Sequence, residues 1–96
     1  MARRKENEEA GRLVKARFRC DARPDAKSVF LAGDFNGWGP SADRMRKRNG
    51  SFSRQVALTP GEHQYKFVVD GEWVTDTGVE AQVPNGAGST NSVIRV

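Results

Sequence analysis

Nine residues near the middle of the chain decide the fold, because they read as a strand, a tight turn and a second strand: Tyr65-Lys66-Phe67-Val68-Val69-Asp70-Gly71-Glu72-Trp73. Asp70-Gly71 is a typical two-residue type I′ turn, which needs φ above zero at both positions. Hydrophobic positions 65, 67 and 69 alternate with Lys66 and Val68, which predicts a strand with one face in a core. Pairing across the turn sets Trp73 opposite Val68, and directly opposed residues point to the same side of a sheet. The stretch therefore predicts a hairpin that holds Trp73 and Lys66 together on its outer, solvent-facing side.

The rest of the chain repeats this kind of pattern in short pieces. Apolar residues alternate with cations over Val14–Cys20, and a second strong hairpin turn, Asn49-Gly50, precedes another alternating run. The strand that ends at Phe35 is apolar on both phases, which is typical of a central strand. Turn signals recur about every 8–12 residues and no convincing helix is indicated, so the sequence predicts an all-β sandwich of about seven short antiparallel strands. The expected strands are Val14–Cys20, Ser28–Phe35, Met45–Arg48 at an edge, Phe52–Leu58, Gln64–Asp70 with its hairpin, and Ser92–Val96, with a long loop over Asp76–Gly88.

Length and composition place the chain among small domains with one core. It has 96 residues, a net charge of +4 and a single cysteine, Cys20. Cys20 lies on the apolar phase of its strand, which predicts a buried, reduced thiol and a reducing compartment. No apolar run approaches the roughly 20 residues of a membrane span, and the first residues lack the apolar stretch of a signal peptide. We therefore expect a cytoplasmic protein with a charged arm at 1–11, flexible or a short helix, and one β-sandwich at 12–96.

The sequence contains few candidates for catalytic residues. The single histidine, His63, lies beside a turn, and nothing pairs it with Cys20. A phosphate-binding glycine loop, a metal-ligand cluster and a nucleophile elbow are all missing from the sequence. We therefore predict that the protein is not an enzyme and uses neither a metal nor another cofactor.

Positive charge is concentrated in two parts of the sequence, the N-terminal third and the stretch 44–48. Nucleic acid is the partner that such clusters suggest. The chain has no recognition helix, zinc-ligand spacing or aromatic-rich RNA-binding motif beside them. We interpret the clusters as a solvated strand face and a charged tail, and we expect neither a nucleic-acid partner nor a membrane partner.

The two tryptophans are the candidates for a binding site. Most tryptophans are largely buried, but the hairpin phase sets Trp73 outward and Trp38 lies in a Gly-Trp-Gly-Pro loop. Large apolar surface in water marks an interaction site. The apolar face of a pyranose ring stacks on an indole, while its hydroxyls need polar partners such as Lys, Ser and Asn at the rim. Bases of single-stranded nucleic acid also stack on aromatic rings, so the pattern by itself leaves both ligands open.

Three segments carry a resemblance to a known family. Residues 29–38, Val-Phe-Leu-Ala-Gly-Asp-Phe-Asn-Gly-Trp, are followed in order by 58–73, which runs from Leu-Thr-Pro-Gly-Glu to Gly-Glu-Trp, and by 91–96, Asn-Ser-Val-Ile-Arg-Val. Together they resemble the family 48 carbohydrate-binding modules, which include the glycogen-binding domain of the AMP-activated protein kinase β subunit and the early-set domain of isoamylases and branching enzymes. The resemblance runs from about Val14 to Val96. It implies an immunoglobulin-like, early-set sandwich that binds α-1,4-linked glucan.

By position, the resemblance also implies the roles of individual residues. Trp38 and Trp73 correspond to the two sugar-stacking rings and Lys66 to a lysine that bonds sugar hydroxyls. Asn91 and Ser89 correspond to polar residues at the entry to the last strand. Ala87 departs from the family's kinase-associated members, which have a leucine there that threads a cyclic glucan. We therefore expect a weaker contact at that position.

The expected function is a non-catalytic module that binds glycogen, starch or maltooligosaccharide. It would stand alone or form a subunit of a larger assembly. The alternative is a structural or regulatory module that docks on a glucan-metabolising enzyme or kinase-like complex and binds little sugar itself. In that alternative, the basic face would be the docking surface.

Overall fold

The computed structural model describes residues 13–21, 23–79, 81–86 and 88–96, and within them every regular element is a β-strand. The predicted arm at 1–11 and the departure at Ala87 both lie outside these residues. In chain order the strands are β1 (Val14–Cys20), β2 (Val29–Gly33), β3 (Asp43–Arg44), β4 (Arg46–Arg48), β5 (Ser51–Leu58), β6 (Glu62–Val69), β7 (Glu72–Val74), β8 (Gln82–Pro84) and β9 (Thr90–Arg95).

The strands form two antiparallel sheets that enclose one core, which confirms the predicted β-sandwich. One sheet has three strands in the order β1-β5-β4. The other has six, in the order β3-β2-β6-β9-β8, with β7 also paired to β6. β6 is the centre of the larger sheet, since β2 lies along one side of it while β9 and β7 follow each other along the other side. The predicted central position of β2, between β3 and β6, is also confirmed.

The core is built by the inward phase of the alternating strands. Phe18 of β1 meets Tyr65 of β6 edge to face, with ring centroids 4.8 Å apart, and Tyr65 packs on Phe67 at 5.8 Å. Leu31 and Leu58 close the same cluster and are almost fully buried. Each such side chain contributes about 1.5–3 kcal/mol by leaving water. Cys20 lies in this core, as its strand phase predicts.

Both predicted hairpin turns have the backbone that a type I′ turn requires. φ is +48° at Asp70 and +87° at Gly71, and it is +54° at Asn49 and +78° at Gly50. Val69 pairs with Glu72 and Val68 with Trp73. The register of the β6–β7 hairpin is therefore the predicted one.

The predicted edge strand at Met45–Arg48 is wrong in detail. The chain makes two short edge strands there, β3 on the six-stranded sheet and β4 on the three-stranded sheet. Met45 lies between them, buried in the core, and its N–H donates to the carbonyl of Val29 at 2.8 Å. The chain changes sheets at this residue, so Met45 packs inside the sandwich. The loop expected at Asp76–Gly88 likewise contains one short strand, β8.

Candidate functional site

The outer face of the six-stranded sheet carries an open groove of about 550 Å³. Its floor comes from β6 and β9, and its walls come from the turn after β2, from β7 and from the end of β8. Four of the five residues predicted to bind sugar line this groove, and the fifth, Ser89, bonds one of the four. The lining residues are Trp38, Gln64, Lys66, Trp73, Pro84, Asn85 and Asn91.

Trp73 reaches the groove because of the hairpin that carries it. It pairs with Val68, so its side chain shares the outer face with the even-numbered residues of β6. Trp73 is 47% exposed. An aromatic ring held on a paired strand and half open to water can receive an apolar ligand face without rearranging the fold.

Trp38 reaches the groove from a tight turn at the end of β2. Its own φ is +60°, and its N–H donates to the carbonyl of Gly33 at 2.9 Å. Asn36 holds the turn from inside, because its Oδ1 accepts the N–H of Gly33 at 3.0 Å and its Nδ2 donates to Asp43 Oδ2 at 2.7 Å. Gly33 has no room for a side chain, since a Cβ there would lie 2.7 Å from the carbonyl oxygen of Gln64. The backbone of the turn is therefore held on both sides, and the half-buried indole of Trp38 extends from it.

Lys66 lies at the floor of the groove. The strand alternation predicts an exposed Lys66 on the outer face. This prediction is wrong about exposure, because only 7% of Lys66 is exposed. Val68 on the same face is also buried. It is paired with Phe30 of β2 and Trp73 of β7, and directly opposed residues share one face of a sheet. The Lys66 ammonium donates to Ser89 Oγ at 2.8 Å, and it takes part in none of the ion pairs found among the described residues. An ammonium can donate three hydrogen bonds, so this group is suited to receive further oxygen ligands.

Asn91 and Gln64 form a second polar group on the floor. Asn91 is 8% exposed, and its Nδ2 donates to Gln64 Oε1 at 3.0 Å. Sequence reasoning missed Gln64, although it shares the outer phase of β6 with Lys66 and could have been found from that spacing. The amide oxygen of Asn91 and the amide NH₂ of Gln64 supply an acceptor and donors toward the groove.

Pro84 and Asn85 form the wall nearest to Ser89. Asn85 N–H donates to the carbonyl of Ser89 at 3.0 Å, and Asn85 Oδ1 accepts the N–H of Ser89 at 3.2 Å. These two hydrogen bonds hold Ser89 in place, and its hydroxyl accepts the hydrogen bond from the Lys66 ammonium. The sequence predicts a long loop over Asp76–Gly88, but it does not single out these two residues.

Two titratable side chains outside the groove, Tyr65 and His63, have hydrogen-bond partners within the protein. Tyr65 donates to Asp76 Oδ2 at 2.6 Å, and burial, reinforced by this carboxylate, raises the pKa of the Tyr65 hydroxyl well above its usual range. His63 has an Asp34 carboxylate oxygen 3.0 Å from Nδ1 and the Thr59 carbonyl oxygen 2.8 Å from Nε2. The described residues contain no group of three or more His, Cys, Asp or Glu side chains that could hold a metal ion. The groove lining named above contains rings, amides and one ammonium, which suits stacking and hydrogen bonding.

An antiparallel sandwich that presents two indoles beside polar side chains in one open groove has the make-up of a carbohydrate-binding module. Residues 17–96 match the family described as the glycogen recognition site of AMP-activated protein kinase. The chain therefore belongs to this family of glycogen-recognition modules.

Individual relatives agree with the family. The 5′-AMP-activated protein kinase subunit beta-2 of Homo sapiens is 41% identical over 70 residues, which cover 73% of this chain and 25% of the relative. Subunit beta-1 of Sus scrofa is 40% identical over 70 residues, covering 73% of this chain and 55% of the relative. The match thus spans about a quarter of the length of the beta-2 relatives. Within the part of the chain that the structure describes, no helix is long and apolar enough to span a membrane.

Proposed function

We propose that the groove binds α-1,4-linked glucan without chemical change, and that its five predicted residues make the contacts. The observation that supports this most is the placement of Trp38, Trp73 and the buried Lys66 around one open groove. The family match supplies the ligand class, since the pattern of rings and polar groups alone also suits nucleotide bases.

Each residue has a distinct part in the proposal. Trp38 and Trp73 stack on the apolar faces of glucose rings at two walls of the groove. Lys66 and Asn91 bond hydroxyls at the floor, and Ser89 orients the Lys66 ammonium. An ammonium with one protein partner gains more from a hydroxyl than an exposed lysine would, because it has already lost most of its water.

An open groove on a small domain favours weak binding to short sugars. We expect a dissociation constant in the millimolar to micromolar range, or roughly −4 to −8 kcal/mol. A polymer offers the same unit many times, so retention on glycogen exceeds what a single site predicts when several copies bind together.

Trp73→Ala tests the site directly. Covering about 80 Å² of indole with a sugar face contributes about 2 kcal/mol, so the variant should bind maltoheptaose roughly thirtyfold more weakly. Because Trp73 is half exposed and lies on a short edge strand, the melting temperature should change little. Tryptophan fluorescence titration measures the affinity, and circular dichroism measures the fold.

The matched control is Leu13→Ala. Leu13 is the other large hydrophobic residue exposed in the described part of the chain, at 57%, and it lies outside the groove. This variant should bind glucan normally. Unfolding of Trp73→Ala would make Trp73 a core residue, and unchanged binding would remove it from the site.

The absence of catalysis and the cytoplasmic location belong to the same proposal. The described residues that line the groove include no carboxylate pair and no nucleophile with a base beside it. The buried position of Cys20 supports a reducing compartment.

The alternative, a docking module, is favoured by one specific observation. The strands of the three-stranded sheet carry seven cations and no acidic residue: Lys15, Arg17, Arg19, Arg46, Lys47, Arg48 and Arg54. This basic sheet lies on the opposite side of the sandwich from the groove. It suits an acidic surface on a partner enzyme or kinase-like complex, which could be bound together with the glucan.

Charge removal distinguishes the two functions. Replacing Arg17 and Arg46 with glutamine should abolish co-purification with a partner protein and leave maltoheptaose affinity unchanged. Replacing Trp73 with alanine should do the reverse. A native protein that captures no partner from its own cells, yet binds glucan, would eliminate the docking function.

A further inference from the structure

His63 lies outside the groove, but its hydrogen bonds lead into it. Nδ1 lies 3.0 Å from Asp34 Oδ1, and Nε2 lies 2.8 Å from the carbonyl oxygen of Thr59. A carboxylate and a carbonyl can only accept hydrogen bonds. Both contacts are therefore satisfied together only when both ring nitrogens carry a proton, which is the imidazolium form.

Asp34 connects this imidazolium to the Gln64–Asn91 pair on the groove floor and to the Trp38 turn. Its other oxygen, Oδ2, accepts the N–H of Gln64 at 2.9 Å, and its own N–H donates to the carbonyl of Gln64 at 3.0 Å. Gln64 in turn holds Asn91 on the groove floor. Asp34 also begins the turn that ends at Trp38, directly after Gly33, whose carbonyl anchors the Trp38 N–H.

The charged groups around His63 are few. Of the described residues that line the depression beside it, Asp34 and Glu62 are the charged ones, and Glu62 is ion-paired with Arg95 of β9. The ring of Phe35 covers one side, edge to face, with its centroid 6.1 Å away. The charge of His63 therefore acts mainly on Asp34.

We infer that His63, in its protonated form, is a positioning residue for the glucan groove, holding Asp34 so that the Trp38 turn and the Gln64–Asn91 pair keep the geometry that binds sugar. This inference rests on the proposed function. Loss of one ring proton would leave a lone pair facing either the Asp34 carboxylate or the Thr59 carbonyl, so one contact would be broken. Asp34 loses its charged partner in either case: it keeps a neutral N–H donor when Nδ1 holds the remaining proton, and it keeps none when Nε2 holds it. The Trp38 turn would then lose part of its support, because charge-assisted hydrogen bonds are the stronger kind.

The coupling has a defined sign. The Thr59 carbonyl, which outweighs partial burial, and the Asp34 carboxylate raise the pKa of His63 above its ordinary value near 6.5. Glucan affinity should therefore be highest below that pKa and should fall as pH rises through it. Linkage is reciprocal, so bound glucan should raise the pKa of His63 further, and a rise of about 0.5 corresponds to roughly threefold tighter binding by the protonated form.

A proton NMR titration tests this on the unmodified protein. His63 is the single histidine in the chain, so its ring signals are unambiguous. Its pKa would be measured without sugar and with saturating maltoheptaose, and the sugar affinity would be followed by tryptophan fluorescence from pH 6 to 9. The expected result is a higher pKa in the complex and an affinity that falls about three- to tenfold over that range.

Substitution of two carboxylates tests whether the pH dependence of sugar affinity acts through Asp34. Asp34→Asn should weaken binding at pH 6 and flatten the pH profile, whereas Glu62→Gln, which alters the other carboxylate of the depression, should preserve the profile. Sugar binding with an unchanged His63 pKa would overturn the inference alone. Complete absence of sugar binding at pH 6 would overturn the proposed function and this inference with it.

Discussion

At the scale of a single residue, we expect substitutions at Lys66 to affect glucan binding and fold stability in different ways. A buried ammonium without a carboxylate partner costs free energy in the unliganded fold. Among the described residues, the side-chain partner of the Lys66 ammonium is the Ser89 hydroxyl. Lys66→Met keeps most of the apolar stem and removes the charge. We expect an unchanged or higher melting temperature, together with glucan binding weaker by about 1.5–3 kcal/mol, which is the value of a hydrogen bond to a charged group.

The matched comparison is Ser89→Ala, which leaves the ammonium in place and removes its protein partner. This variant should lose less affinity than Lys66→Met, because a sugar hydroxyl can still reach the ammonium. Differential scanning calorimetry and maltoheptaose titration give the two quantities. A large fall in the stability of Lys66→Met would mean that Lys66 has a structural role in the fold.

Lys66 also shows what residue-level reasoning can and cannot reach. The period of two in β6 was enough to set Lys66 and Trp73 on one face, and the structure confirms their common side. It could not predict that Lys66 is buried, because burial depends on which strands flank β6. The pairing of β6 with β2, β9 and β7 is set by contacts far apart in the chain. Gln64 is different, because the period of two already sets it on the groove face and only its contact with Asn91 depends on distant pairing.

At the scale of an element, the β6–β7 hairpin depends on Asp70 for two separate reasons. Asp70 occupies the φ +48° position of the turn, and its Oδ1 accepts the N–H groups of Lys27 and Ser28, both at 2.9 Å. The carboxylate thus ties the hairpin to the start of β2, a role that the turn signal alone does not predict. Such charge-assisted bonds are the stronger kind in proteins.

Substitutions at Asp70 should separate the two contributions. Asp70→Asn keeps an oxygen and tolerates the left-handed backbone, so it should cost little. Asp70→Gly removes the oxygen without backbone strain and should cost about 1.5–3 kcal/mol. Asp70→Ala adds about 1–2 kcal/mol for the left-handed conformation. Urea unfolding measures this order, and equal stabilities for Gly and Ala would contradict the strain contribution.

Element boundaries were predictable where local chemistry sets them. The strict alternation of β1 sets both of its ends, and the structure places β1 at the predicted residues. The two type I′ turns set the points where their hairpins reverse. The crossing between sheets at Met45 and the short strand β8 were not predictable in this way. Met45 is apolar among cations, a pattern that also suits an edge strand, and β8 has only three residues, paired to β9.

At the scale of the whole molecule, positive charge is concentrated on the strands of the three-stranded, basic sheet. The seven cations on the strands of the basic sheet face few acids, and two of them have carboxylate partners, Arg19 with Asp21 and Arg54 with Asp43. Cations two residues apart on one strand lie about 7 Å from each other. Each such pair repels by about 0.6 kcal/mol in unscreened water.

Salt should therefore stabilise the fold. The Debye length falls from about 30 Å at 0.01 M to about 8 Å at 0.15 M, which screens this repulsion. We expect the melting temperature to rise by several degrees over that range of sodium chloride, because about 1 kcal/mol corresponds to roughly 4–8 °C in a domain of this size.

Replacing Arg17 and Arg48 with glutamine should raise the melting temperature at low salt and make it depend less on salt concentration. The control is Arg95→Gln. Arg95 lies on the six-stranded sheet and is paired with Glu62 of the same sheet, so this variant should leave the salt response unchanged. A melting temperature that falls with salt would mean that attractive ion pairs outweigh the repulsion within the basic sheet.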